Sequence, residues 1–86
     1  MRGENKKKIL WKAFENAAPY FSDIKRMKNI VKSKINNITS INEVLQVIRN
    51  MIINEKDIEI RTDLKILLNE IKKEIARMGK EYGKKI

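Results

Sequence analysis

The sequence predicts an all-α fold: a small antiparallel bundle of three to four helices, with the C-terminal helix the longest. Three observations carry that expectation. No stretch alternates apolar and polar residues as a half-buried strand does. Apolar residues instead recur at steps of three and four along nearly the whole chain, and one proline and three glycines leave few breaks. Short connections between amphipathic helices bring sequence neighbours together antiparallel. The 86 residues make one helical domain over 1–86, with 1–5 and 83–86 expected to fray.

The first helix is expected from about Glu4 to Ala17, with Leu10, Ala13, Phe14 and Ala17 at helical spacing and Trp11 and Ala18 beside that stripe. It ends near Ala18, because the residue before Pro19 is pushed out of the α region. The second follows with Ser22 as the expected N-cap and Asp23 at the positive helix end. A start at Pro19 is the alternative. Ile24, Met27, Ile30, Val31, Ile35 and Ile38 form the apolar face of this helix.

Asn36 and Asn37 make the next break. The third helix opens on Ser40-Ile41-Asn42-Glu43, a capping-box pattern, and carries Ile41, Val44, Leu45, Ile48, Met51 and Ile52 on one stripe. Asn54 to Asp57 connects it to the last helix. That helix starts near Asp57 or at Thr62, the better single cap, and runs to about Tyr82 unless Gly79 ends it early. Its positions Leu64, Leu68, Ile71, Ile75, Met78 and Tyr82 step by 4, 3, 4, 3, 4, a heptad seam supplemented by Ile60 and Leu67.

Composition removes several function classes. There is no Cys and no His, so disulfides, thiolate or imidazole metal ligands, thiol nucleophiles and the common neutral-pH general base are all missing. A reducing, cytoplasmic setting is the natural expectation. The longest uncharged stretch, Ile35 to Asn42, is eight residues, against the ~20 apolar residues of a crossing helix. Lys12 and Glu15 interrupt the apolar run after Lys6-Lys7-Lys8 too early for an export signal.

Ser22, Ser33, Thr39, Ser40 and Thr62 have no histidine partner, and no glycine-rich phosphate loop occurs. No enzyme activity and no cofactor are therefore expected. Glu55, Asp57, Glu59 and Asp63 fail the calcium-loop pattern, with Arg61 where an oxygen ligand belongs. They are read as dipole partners at a helix start, and no metal is expected.

The positive clue is charge. Twenty basic residues against 11 acidic give +9, distributed as +7 over residues 1–34, −2 over 35–60 and +4 over 61–86. Such polarity points to a polyanionic partner. On the second helix, Lys25, Lys28 and Lys32 lie opposite the apolar face, with Arg26 flanking them and Asn29 and Asn36 alongside. Ammonium groups at ~5 Å intervals suit a phosphate backbone, although lysines also cover any solvated helix face. Lys34 falls on the apolar side and is read as a helix edge whose stem snorkels.

Lys6, Lys7, Lys8 and Lys12, with Arg2, form a second basic group beside Trp11 and Phe14. Charge plus stacking could grip nucleic acid there, but a tryptophan beside that stripe more often packs in the core. On the last helix, Lys73, Arg77, Lys80 and Lys84 alternate with Glu70, Glu74 and Glu81, which reads as helix-stabilising pairs, followed by a basic tail at Lys84 and Lys85. The Leu64–Tyr82 seam either packs on the other helices or joins a second copy as a homodimer.

Three functions follow, in order. The first is a basic helical module that binds DNA or RNA through phosphate contacts with little sequence selectivity, using Lys6, Lys7, Lys8, Lys12, Lys25, Arg26, Lys28 and Lys32. No recognition helix, zinc finger or RNA-binding fingerprint is present to read sequence. The second is a protein-binding accessory or inhibitor that meets an acidic surface on a larger complex. The third comes from a likeness. In Phe21-Ser22-Asp23-Ile24, the Ile41 to Ile48 stripe, and Leu67-Leu68 through Met78-Gly79-Lys80, the layout is similar to that of small bacteriocin-immunity bundles. That resemblance implies a cytoplasmic four-helix protein with an immunity or membrane-surface role.

Overall fold

The apolar positions of the last helix set the architecture. In the computed structural model, backbone is described for residues 2–38 and 40–83, and side chains for residues 7–38 and 40–77. Four α-helices form: α1 (Arg2–Ala17), α2 (Ile24–Ile30), α3 (Ile41–Asn54) and α4 (Ile58–Gly83), and no strand occurs among the described residues. The longest is α4, and α1, α2 and α3 all pack against it. Of the ends expected to fray, residues 2–5 and Gly83 carry helical backbone, while Met1 and 84–86, including Lys84 and Lys85, lie outside the described residues.

The core combines Leu10, Ala13 and Phe14 of α1, Met27, Val31 and Ile35, Val44 and Ile48 of α3, and Ile60, Leu64, Leu67 and Ile71 of α4. Burial of this kind is the main force holding the helices together, at ~25 cal/mol per Å² of apolar surface. The buried line on α4 is rotated relative to the expected seam. It runs Ile60, Leu64, Leu67, Ile71 and Glu74, whereas Leu68 and Ile75 are half-buried on its flank. Leu64 and Ile71 are thus enclosed within their own chain, while Leu68 and Ile75 keep part of their surface open. Met78 and Tyr82 lie outside the described side chains.

The start of α2 differs from expectation, whereas α4 takes the earlier of its two expected starts. Asp23, not Ser22, caps α2: its Oδ1 accepts the Arg26 amide at 3.0 Å. Pro19 does not begin α2 but sits in a single 3₁₀ turn (Ala18–Tyr20), closed by the Phe21 amide on the Ala18 carbonyl at 3.2 Å. At α4, Asp57 Oδ1 accepts the Glu59 and Ile60 amides at 2.9 and 3.4 Å, so Thr62 is left inside the helix. A carboxylate placed just before the first turn satisfies orphan amides that a threonine inside the helix cannot. Ser40 does occupy the N-cap of α3, yet its side chain makes no cap bond, so the capping box does not close. Nor does Gly79 end α4.

One local departure has a structural cause. After Ile30 the chain widens into a π-helical segment (Val31–Ile35), closed by the Asn36 amide on the Val31 carbonyl at 2.7 Å. The Ser33 hydroxyl donates to the Asn29 carbonyl at 2.7 Å, taking the acceptor that an α-helical amide of residue 33 would use. The wider turn rotates the backbone less per residue. That keeps Val31 and Ile35, four apart, on the same inward line, and both are fully buried.

Candidate nucleic-acid interface

Helical spacing places Lys25 and Lys28 of α2, and Lys32 of the π-helical segment after it, on the side away from Met27, Val31 and Ile35, and all three are exposed. Arg26 flanks them and is exposed as well. None of the four forms an ion pair with a described carboxylate. Among the described residues two ion pairs occur, both on α4: Lys73 Nζ to Glu70 Oε2 at 3.3 Å and Arg77 Nη1 to Glu74 Oε2 at 2.8 Å.

The Arg77 pair is anchored, because Glu74 is only 7% exposed and also accepts the Asn16 amide group at 3.2 Å. Both pairs match the i, i+3 partners read from the sequence. Glu81, Lys80 and Lys84 lie outside the described side chains.

A bond that spacing alone could not anticipate joins the two basic groups. Trp11 Nε1 donates to Asn36 Oδ1 at 3.2 Å, tying α1 to the end of the π-helical segment. Asn36 is four residues beyond Lys32, so the stripe Lys25, Lys28, Lys32 leads toward the indole. On α1, Lys8 and Lys12 lie one turn apart, line one shallow open groove with Ile9, Trp11, Glu15 and Glu74, and are exposed, as is Lys7. The side chains of Arg2 and Lys6 lie outside those described.

Trp11 itself is half-buried, with its ring edge-on to Phe14 (centroids 5.4 Å apart) and Phe14 in turn 5.3 Å from Phe21. This aromatic row fixes the α1 end of the surface.

The sequence-stretch model of the MJ1579 family matches residues 6–76. The chain belongs to the MJ1579 family. No curated protein and no solved structure matches it. Within this MJ1579 family member, the matched span takes in Lys6 through Lys32 and the whole described core, and stops short of Arg77, Met78 and Tyr82.

Asp63 is the residue whose role the sequence reading missed. It is fully buried, and its carboxylate accepts the Ser22 amide at 2.8 Å through Oδ1 and the Asp23 amide at 3.0 Å through Oδ2. A charged acceptor receiving two backbone amides is strongly held, so α4 fixes where α2 begins and hence where its lysines point. The signal was present in the spacing: Asp63 is three residues after Ile60 and four before Leu67, which puts it on the inner face. Glu55, Asp57 and Glu59 do not join it in a cation site, and among the described residues no three or more carboxylates are grouped so as to hold a metal ion.

Lys34 has the edge position expected of it. Its exposed side chain borders a groove between α2 and α3 that is also lined by Arg26, Ile30, Met51 and Asn54. No described helix is long and apolar enough to cross a membrane.

Proposed function

We propose that this protein is a cytoplasmic, non-enzymatic module that binds DNA or RNA through its phosphate backbone, with little sequence selectivity. The observation supporting the reading is the row Lys25, Lys28 and Lys32 with Arg26, exposed and without a described carboxylate partner on a chain of net charge +9. Lys7, Lys8 and Lys12 extend it past the Trp11–Asn36 bond. Unpaired ammonium groups on a rigid helix release counterions from a polyanion on contact, which supplies most non-specific affinity. The exposed amide group of Asn29 adds hydrogen-bonding capacity without a bidentate base-reading geometry.

Titration against random-sequence duplex DNA and RNA at about 50 and 200 mM salt tests this. Six phosphate contacts give a log–log slope near −5, with similar affinity for unrelated sequences. A chain that binds neither polymer at low salt, and instead co-purifies in fixed ratio with an acidic protein, would replace this reading with that of an accessory subunit.

A further inference from the structure

Trp11 is the chain's one tryptophan, and it is held in place without being enclosed. Its Nε1 donates to Asn36 Oδ1 at 3.2 Å, and Phe14 meets it at an interplanar angle of 63°. Among the described residues no parallel ring covers the indole. It is half-buried and presents part of its surface to the groove between α1 and α4, where Lys8, Ile9, Lys12, Glu15 and Glu74 join it.

Charge is graded along this groove. Lys8, Lys12 and Glu15 follow one another at steps of four and three on one stripe of α1, and all are exposed. At ~1.5 Å rise per residue, Lys12 lies ~6 Å beyond Lys8 and Glu15 a further ~4.5 Å on. Trp11 stands beside the middle of the stripe. Neither lysine forms an ion pair with a described carboxylate, and Glu74, across on α4, is already bonded to Arg77 and Asn16. An anion is therefore drawn to the Lys8–Lys12 end and turned away from the Glu15 end. The groove beside Lys34, between α2 and α3, has cations but no aromatic residue in its lining.

A fixed aromatic ring beside cations is the combination that holds unpaired strands, because bases stack on the ring while phosphates meet the cations. In a duplex the bases are stacked on one another and do not reach a ring set into a groove. We propose that the α1–α4 groove takes an unpaired base of a single-stranded nucleic acid, stacked on Trp11 with its flanking phosphates at Lys8 and Lys12. This rests on the phosphate-backbone reading above and divides the surface in two. Lys25, Lys28 and Lys32 meet the phosphates of any strand, whereas the α1 groove selects strands with free bases.

The test follows Trp11 emission, with binding read in parallel by anisotropy of an end-labelled strand. A short single-stranded DNA quenches Trp11 and binds about fivefold or more tighter than an abasic strand of equal charge. The matched duplex leaves Trp11 emission unchanged. Replacing Lys8 and Lys12 together by Gln, both at exposed positions, weakens single-strand binding about 25-fold at 0.1 M salt, at ~0.7 log unit per phosphate contact, while helicity by circular dichroism stays unchanged. A single strand that binds without moving Trp11 emission, or no tighter than the abasic strand, overturns the groove site and leaves the phosphate-backbone reading in place. If neither single strand nor duplex binds at low salt, both readings fall.

Discussion

Helices α2 and α4 are both rich in basic residues, yet they hold them differently. On α4, Lys73 and Arg77 each meet a glutamate three residues earlier, and Glu74 is itself buried and bonded to Asn16. On α2 and the π-helical segment after it, Lys25, Lys28 and Lys32 meet no described carboxylate. The difference lies in what each sequence intersperses: α4 alternates lysine with glutamate, whereas Ile24–Ile30 has no acidic residue at all. Cations on a helix can therefore serve two purposes, one closing the helix surface on itself and the other leaving charge available to a partner. Composition counts them alike.

The largest effect expected is on that available charge. At 0.1 M salt each phosphate contact contributes about 0.9 log unit to the binding constant through counterion release. Replacing Lys25, Lys28 and Lys32 together by Gln should then lower affinity for random DNA roughly 500-fold, read by fluorescence anisotropy. A loss below about fivefold would erase the contrast with α4.

Next comes the clamp that orients α2. Asp63→Ala strands two backbone amides and should cost about 2–3 kcal/mol in urea denaturation. A cost under about 0.5 kcal/mol would mean that α2 is positioned by apolar packing alone.

Trp11→Phe keeps the ring but removes the donor to Asn36. It should cost about 1 kcal/mol and lower affinity less than the triple lysine change does. Unchanged stability would show that the bond does not hold the two basic groups in register. Smallest of all, Lys73→Ala removes a surface pair whose lysine is 67% exposed, for at most about 0.5 kcal/mol, with nucleic-acid affinity nearly unaltered. A large affinity loss there would extend the binding surface to α4.

Some of this was legible before any coordinates. Helix spans, the C-terminal helix as the longest, the core residues of α1 and α3, and both α4 ion pairs follow from three- and four-residue spacing, which a helix converts directly into neighbourhood. The π-helical segment was not legible, because Met27, Val31 and Ile35 also satisfy an ordinary α-helical stripe. The wider turn goes with the Ser33 hydroxyl on the Asn29 carbonyl, a bond the stripe does not announce.

Asp63 was misread for a different reason. Acidic residues near a helix start already have an explanation in the helix dipole, and that explanation hid its burial. The expected seam missed by one position, since Leu67 and Leu68 are equivalent in sequence and only the approach of the other helices decides which faces inward. The two basic groups could be found by charge alone, but the Trp11–Asn36 link between them spans 25 residues and depends on the assembled bundle.

The most direct measurement compares salt dependence in two matched triple variants: Lys25, Lys28 and Lys32 to Gln on α2, and Lys72, Lys73 and Arg77 to Gln on α4. Each removes three charges, so net charge is the same in both. The α2 variant should flatten the log–log salt slope for random DNA by roughly three, and the α4 variant by less than about one. Equal flattening in the two would show that binding follows total charge and that the open face of α2 has no special part in it.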